Sequence, residues 1–195
     1  MLKIKQKKNF TRNLRIVRKV HRTMGALLFI FFLIISITAF LLGWKKNSNG
    51  LILPESHEGS TAEIRNWLPL DSLQYIAFQA MKDSIDEQID LDLQRIDCRP
   101  QKGMIKFIFN NHYWGIQLDG ATGDILAITR RRSDFFENIH DGSILDIIFG
   151  TKGEIIKLFY TTIMSIALFL FTITGFWLWY GPKVIKRKKR NLIKK

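Results

Sequence analysis

The sequence predicts an α+β membrane protein in which two transmembrane helices flank a small extracytoplasmic helix-plus-antiparallel-sheet domain. Three observations predict it: two long uncharged apolar runs, basic tails beyond them, and a middle stretch carrying an amphipathic helix and alternating strands. The chain is 47% hydrophobic and yet has a net charge of +13, a combination that position explains. Residues 1–23 hold nine Lys/Arg and no acid, and residues 183–195 hold eight more and no acid. The rest has thirteen basic residues against all seventeen acids, so the basicity belongs to the tails.

The apolar runs are Met24 to Trp44 and Leu158 to Tyr180, neither with a charged residue. Each reaches the ~20 residues that cross a hydrocarbon core of ~30 Å. Neither shows the polar stripe of a soluble amphipathic helix, and a chain of 195 residues is too short to bury both in a core of its own. Lys and Arg concentrate on the cytoplasmic side of membrane proteins. Both tails are therefore expected in the cytoplasm and residues 45–157 outside the bacterial inner (cytoplasmic) membrane. Trp44, Trp177, Trp179 and Tyr180 fall at span ends, where amphipathic rings favour the headgroup region. The first run is too long for a cleaved signal peptide, and Gly43-Trp44-Lys45-Lys46 offers no small-residue cleavage pattern, so it reads as a signal anchor. Tails this close to the spans point to topology and anionic-lipid contact rather than nucleic acid. Cys98 is the only cysteine, which excludes an intrachain disulfide, a CxxC redox pair and a cysteine metal cluster.

The chain thus divides into a basic cytoplasmic tail (1–23), a first span (24–44), a linker (45–68), an extracytoplasmic domain (69–133), an interfacial helix and connector (134–157), a second span (158–180) and a second basic tail (181–195). The linker is rich in Asn, Ser, Gly and Glu. In the domain, Leu73, Ile76, Ala77, Ala80, Met81 and Ile85 recur at helical spacing, and Asp71 with Gln74 resembles a capping box. Residues 91–99, 104–110, 112–119 and 124–130 alternate as strands with one buried face, separated by turn chemistry at Asn110-Asn111 and Asp119–Gly123. A helix laid on a small antiparallel sheet satisfies both patterns. Residues 134–149 read as a second amphipathic helix.

Trp114-Gly115-Ile116-Gln117-Leu118-Asp119 followed by Ala121-Thr122-Gly123-Asp124-Ile125-Leu126 resembles the signature strand pair of PepSY domains. Arg18-Lys19-Val20-His21-Arg22-Thr23-Met24-Gly25, Ile139-His140-Asp141-Gly142 and Ile173-Thr174-Gly175-Phe176-Trp177-Leu178-Trp179 look like successive elements of PepSY-associated transmembrane proteins. The resemblance covers nearly the whole chain and extends distantly to membrane ferric-siderophore reductases. A short internal repeat accompanies it: Ile35-Ser36-Ile37-Thr38-Ala39-Phe40 matches Phe171-Thr172-Ile173-Thr174-Gly175-Phe176, in spans that run in opposite directions, as in an inverted repeat.

Four histidines are candidates for chemistry: His21, His57, His112 and His140. As a structural residue, His21 is an interfacial side chain in a basic cluster. The resemblance implies instead that His21 and His140 are cofactor-binding, as axial ligands of haem b. From His21 to the outer end of its span is about 23 residues, or roughly 35 Å, and His140 precedes the second span on the outer side. One iron cannot take both, so each needs a partner from a homodimer or another membrane subunit. His57 and His112 have no ligand partners at metal spacing, and no metal site is expected. No phosphate loop, nucleophile elbow or metalloprotease pattern is present, no catalytic residue stands out, and the sequence fixes no enzyme reaction. Asp83, Asp86, Glu87 and Asp90 read as a solvated surface. Arg130–Arg132 reads as a hairpin end near phosphates, with an acidic ligand or lipid headgroup as the alternative. The polar span residues Ser36, Thr38, Thr161, Thr162, Ser165, Thr172 and Thr174 read as helix-packing hydrogen bonders, and no ionisable group lies within either span to carry ions.

Two functions follow as expectations. One is a redox accessory of iron or siderophore uptake that binds haem. The other is a non-enzymatic envelope module whose PepSY-like domain binds or regulates a peptidase or other periplasmic protein.

Overall fold

The computed structural model describes residues 2–193, which form two compact units: the chain up to Ser36 together with the chain from Asp141 onward, and Ile37–His140.

In the central unit, helix α2 (Leu70–Ser84) packs on an antiparallel sheet of strands β1 (Leu93–Arg99), β2 (Met104–Phe109), β3 (Trp114–Asp119) and β4 (Ile125–Arg130), ordered β1-β2-β3-β4. The period-two pattern sends Ile105, Phe107 and Phe109 of β2 and Ile116 and Leu118 of β3 to one face. There they meet Leu73, Ala77, Ala80 and Met81 of α2 in a single apolar core. The expected capping box is not formed. The helix starts at Leu70 behind Pro69, and Asp71 lies inside the first turn, its carboxylate accepting from the Ser72 amide. Proline fits this entry because it fixes φ and its missing N–H would have no intrahelical partner.

Alternation led us to expect one buried face, but all six residues of β2 are buried, including Lys106 at 4% exposure. The second face is covered by the polar segment before α2. Its Ser56 hydroxyl accepts from Lys106 Nζ at 2.8 Å and Arg99 at 3.2 Å, and its carbonyl accepts from Lys102 at 3.1 Å. Gln117 donates to the Glu55 carbonyl at 2.8 Å and accepts from the His57 amide at 3.2 Å. Asp119 accepts from the Ser60 amide and hydroxyl and from Ala121 and Thr122 at the β3–β4 turn. Gly59 crosses Gly103 so closely that a Cβ on Gly59 would lie 2.1 Å from the Gly103 carbonyl oxygen. The covering segment is therefore stitched down by side chains that its composition does not advertise.

The helix expected over 134–149 is two. Helix α3 (Arg132–Asp141) stops at Gly142, whose φ of +84° no bulky residue adopts comfortably, and α4 (Ser143–Phe149) follows. Helices α1 (Leu2–Gly43) and α5 (Ile155–Ile193) are long and apolar enough to cross a membrane over Phe10–Gly43 and Ile155–Arg187. Only 6% and 11% of their most apolar windows is buried, as expected of helices facing lipid rather than a protein core. Both continue as helix into the basic tails, where Lys and Arg are good helix formers.

Within the first unit, α1 and α5 run antiparallel. Their less exposed residues recur at three- and four-residue steps, Phe10, Leu14, Val17, His21, Gly25, Leu28 and Phe32 on one and Met164, Ala167, Phe171, Thr174, Leu178 and Gly181 on the other. Phe10 meets Trp177, Leu14 meets Gly181, Gly25 meets Phe171 and Phe31 meets Tyr160. Small residues at such seams let the large ones opposite interlock. The start of α5 is held by Asp146 of α4, whose carboxylate accepts from the Ile156 and Lys157 amides and the Thr151 hydroxyl.

Candidate functional site

His21 lies on the α1 seam, a position set by the helical spacing that also places Leu14 and Gly25 there. Its Nδ1 is 2.8 Å from the Thr174 hydroxyl of α5. The imidazole stacks at a tilt on Phe171, ring centroids 4.0 Å apart, and Gly175 leaves its Cε1 edge uncrowded. Thr174 Oγ1 lies 2.7 Å from the Leu170 carbonyl and 3.1 Å from that of Phe171, and carbonyls only accept. The single hydroxyl proton is therefore spent on the helix backbone, and the oxygen faces His21 with its lone pairs. So Nδ1 is the donor of this bond, and in the neutral imidazole that leaves the lone pair on Nε2.

His140 closes α3 in the central unit. That helix is fixed at its start by an Arg131–Asp134 ion pair at 2.8 Å and by the Ser133 amide donating to the Ile52 carbonyl. Farther along, Asn138 donates to the Tyr113 hydroxyl and Phe135 sits edge-on to the Tyr113 ring. These contacts aim the last turn so that His140 Nδ1 lies 2.9 Å from the hydroxyl of Thr38, which α1 supplies and which is 4% exposed. Each histidine thus has its own threonine within its own unit, and among the described residues neither Nε2 makes a hydrogen bond.

The other histidines contrast with these. His112 Nδ1 accepts from the Trp114 amide, so its Nε2 carries the proton and donates to the Asp90 carbonyl at 2.8 Å. Both nitrogens are used, one within the β2–β3 turn and the other in tying that turn to the loop before β1. His57 is exposed, and its backbone rather than its ring contacts the sheet. No group of three or more His, Cys, Asp or Glu among the described residues could hold a metal ion. Asp83, Asp86, Glu87 and Asp90 are solvent-exposed. Arg131 is taken by Asp134, and Arg132 reaches the Leu51 carbonyl.

Residue type alone marks Thr38 and Thr174 as helix-packing residues; the signal that singles them out is that they stand at the same place in the six-residue repeat.

Two lipid-facing helices with an α+β domain between them define a two-span membrane protein. The chain belongs to the PepSY-associated TM region family, which it matches over residues 18–194. No curated protein matches the chain.

Proposed function

We propose that this membrane-associated PepSY-type protein is a haem b-binding electron-transfer accessory of iron or siderophore uptake. Its setting is the bacterial inner membrane, with both termini cytoplasmic and the central domain periplasmic. The basic tails support that orientation, since Lys and Arg near span ends are retained on the cytoplasmic side.

The observation that carries the reading is the disposition of two imidazoles. His21 and His140 each engage a threonine through Nδ1 and leave Nε2 to a ligand. Metal-ligating histidines are commonly held in this way, one ring nitrogen tied to a neighbouring group and the other bound to the metal. The donor set fits haem iron, which takes neutral imidazole, and fits zinc poorly because among the described residues no group of three His, Cys, Asp or Glu could hold a metal ion. Bound haem would supply a one-electron ferric/ferrous couple. The chain's own part is to present the lone pair, keep the ring from turning and surround it with apolar side chains such as Phe171. Each pair offers one nitrogen, so a second copy of the chain or another membrane subunit would complete each site.

The test is an absorbance spectrum of the detergent-purified chain, oxidised and dithionite-reduced, from cells supplied with a haem precursor. A Soret band with reduced α and β bands, weakened in His21→Ala and in His140→Ala, is the expected result. A flat spectrum would overturn the redox reading and favour a module whose central domain binds a periplasmic protein.

A further inference from the structure

We propose that Thr174 and Thr38 are positioning residues, each fixing the tautomer and heading of a histidine that the other half of the internal repeat supplies. The proposal gains its functional meaning from the haem reading above, but its structural content stands on separate observations. The repeat aligns Thr38 with Thr174. The residue that each engages is the histidine preceding the opposite span: His21 precedes the first and meets Thr174 of the second, while His140 precedes the second and meets Thr38 of the first. Chance similarity of two apolar segments would not also pair their equivalent threonines crosswise with two histidines.

The chemistry gives the arrangement a purpose. Free neutral imidazole favours the proton on Nε2, which leaves the wrong nitrogen available to a ligand approaching from the ring's far edge. An acceptor oxygen at Nδ1 reverses that preference and stops ring rotation. Thr174 is restricted to accepting because its own proton is held by the Leu170 carbonyl 2.7 Å away. A helix-borne threonine is therefore a better acceptor here than water, which reorients freely. Thr38 stands at the matching repeat position with its hydroxyl 2.9 Å from His140 Nδ1, and the same role is assigned to it by that equivalence.

The test needs no bound haem. In the full chain labelled with [15N]histidine, purified in detergent without haem precursor, long-range 1H–15N NMR should show His21 and His140 with the proton on Nδ1. Thr174→Val should move the His21 proton to Nε2 and leave His140 unchanged, and Thr38→Val should do the converse. Thr174→Ser and Thr38→Ser, which keep the hydroxyl, should restore the original tautomers and control for misfolding. In chains that do carry haem, each valine variant should weaken its retention by roughly 10–100-fold, the range for loss of a group supporting a ligand histidine. Tautomers unmoved by the valine substitutions would overturn the positioning role. A tautomer switch in a protein whose wild type shows no Soret band would uphold it while overturning the haem reading.

Discussion

Replacing Lys106 by methionine should stabilise the central domain at neutral pH, and the gain should vanish as the pH rises. Lys106 projects from β2 into the covered face of the sheet with a neutral hydroxyl, that of Ser56, as its hydrogen-bond partner. Burial, and then the positive charges of Arg99, Arg131 and Lys102, lower its pKa from 10.5 to about 8, with Asp97 opposing. Each unit is about 1.4 kcal/mol, so the buried ammonium costs the folded domain roughly 3 kcal/mol at pH 7. A methionine removes that cost and gives up a hydrogen bond of about 1–2 kcal/mol, leaving a net gain of about 1–2 kcal/mol. The sign of the pH dependence follows from the depressed value. Below about pH 8 the folded and unfolded chains both hold the proton and the full penalty stands. Between there and 10.5 the folded domain gives up its proton first, so the wild type gains stability, by about 2 kcal/mol at pH 9.5.

Urea unfolding of the full chain in detergent would report this through Trp67 and Trp114, with Trp44, Trp177 and Trp179 replaced by phenylalanine in both proteins. With a slope of about 1 kcal/mol per molar, the variant's midpoint should lie about 1–2 M higher at pH 7 and should lose that lead by pH 9.5. Other titrating groups cancel in the difference. A midpoint difference that stays constant across this range would refute the claim that Lys106 is held as a buried, poorly compensated cation.

Other contacts make sharper local predictions. Asp119→Ala removes the acceptor of two bonds from Ser60 and two from the β3–β4 turn, and should destabilise the domain by roughly 3 kcal/mol in the same urea assay. Gly120→Ala would put a methyl carbon 2.3 Å from the Trp67 ring, and should cost about 2–3 kcal/mol with a visible change in Trp67 fluorescence. At Asp146 burial raises the carboxyl pKa, but hydrogen bonds from Thr151, Lys157 and Ile156 outweigh it and hold it below 3.8. Its capping contribution should therefore persist above that value and be lost as pH falls through the lowered pKa. Asp146→Ala should show the same loss at neutral pH, as severalfold faster hydrogen exchange over residues 155–160.

The parts of the fold legible in the sequence were those written as periodicity. The uncharged runs gave the spans, the three- and four-residue spacing from Leu73 to Ile85 gave α2, and alternation gave four strands within a residue or two of their ends. What periodicity could not convey was the second layer over the sheet. The segment from Ile52 to Thr61 has no repeat, and its attachment depends on single polar atoms: the Ser56 hydroxyl, the Glu55 carbonyl and the Ser60 amide. Their partners Lys106, Gln117 and Asp119 occupy the polar positions of alternating strands. A polar residue there is equally consistent with water and with another stretch of chain, so local pattern cannot distinguish an open face from a covered one.

The candidate site was half legible for a related reason. A histidine beside a span stands out as one of only four in the chain, whereas a threonine inside a span is common and usually bonds its own helix. Thr174 does bond its own helix, and that habit is what makes it useful: with its proton committed to Leu170, its oxygen can only accept. His21 and His112 illustrate the consequence within one chain. The backbone amide of Trp114 presents a proton to His112 Nδ1 and sends that ring's own proton to Nε2, where it is spent on the Asp90 carbonyl. The threonine presents lone pairs to His21 Nδ1 and so keeps Nε2 open to a ligand. Whether a histidine is available for ligation is thus decided by what faces its other nitrogen, a relation between residues 153 positions apart that no local motif encodes.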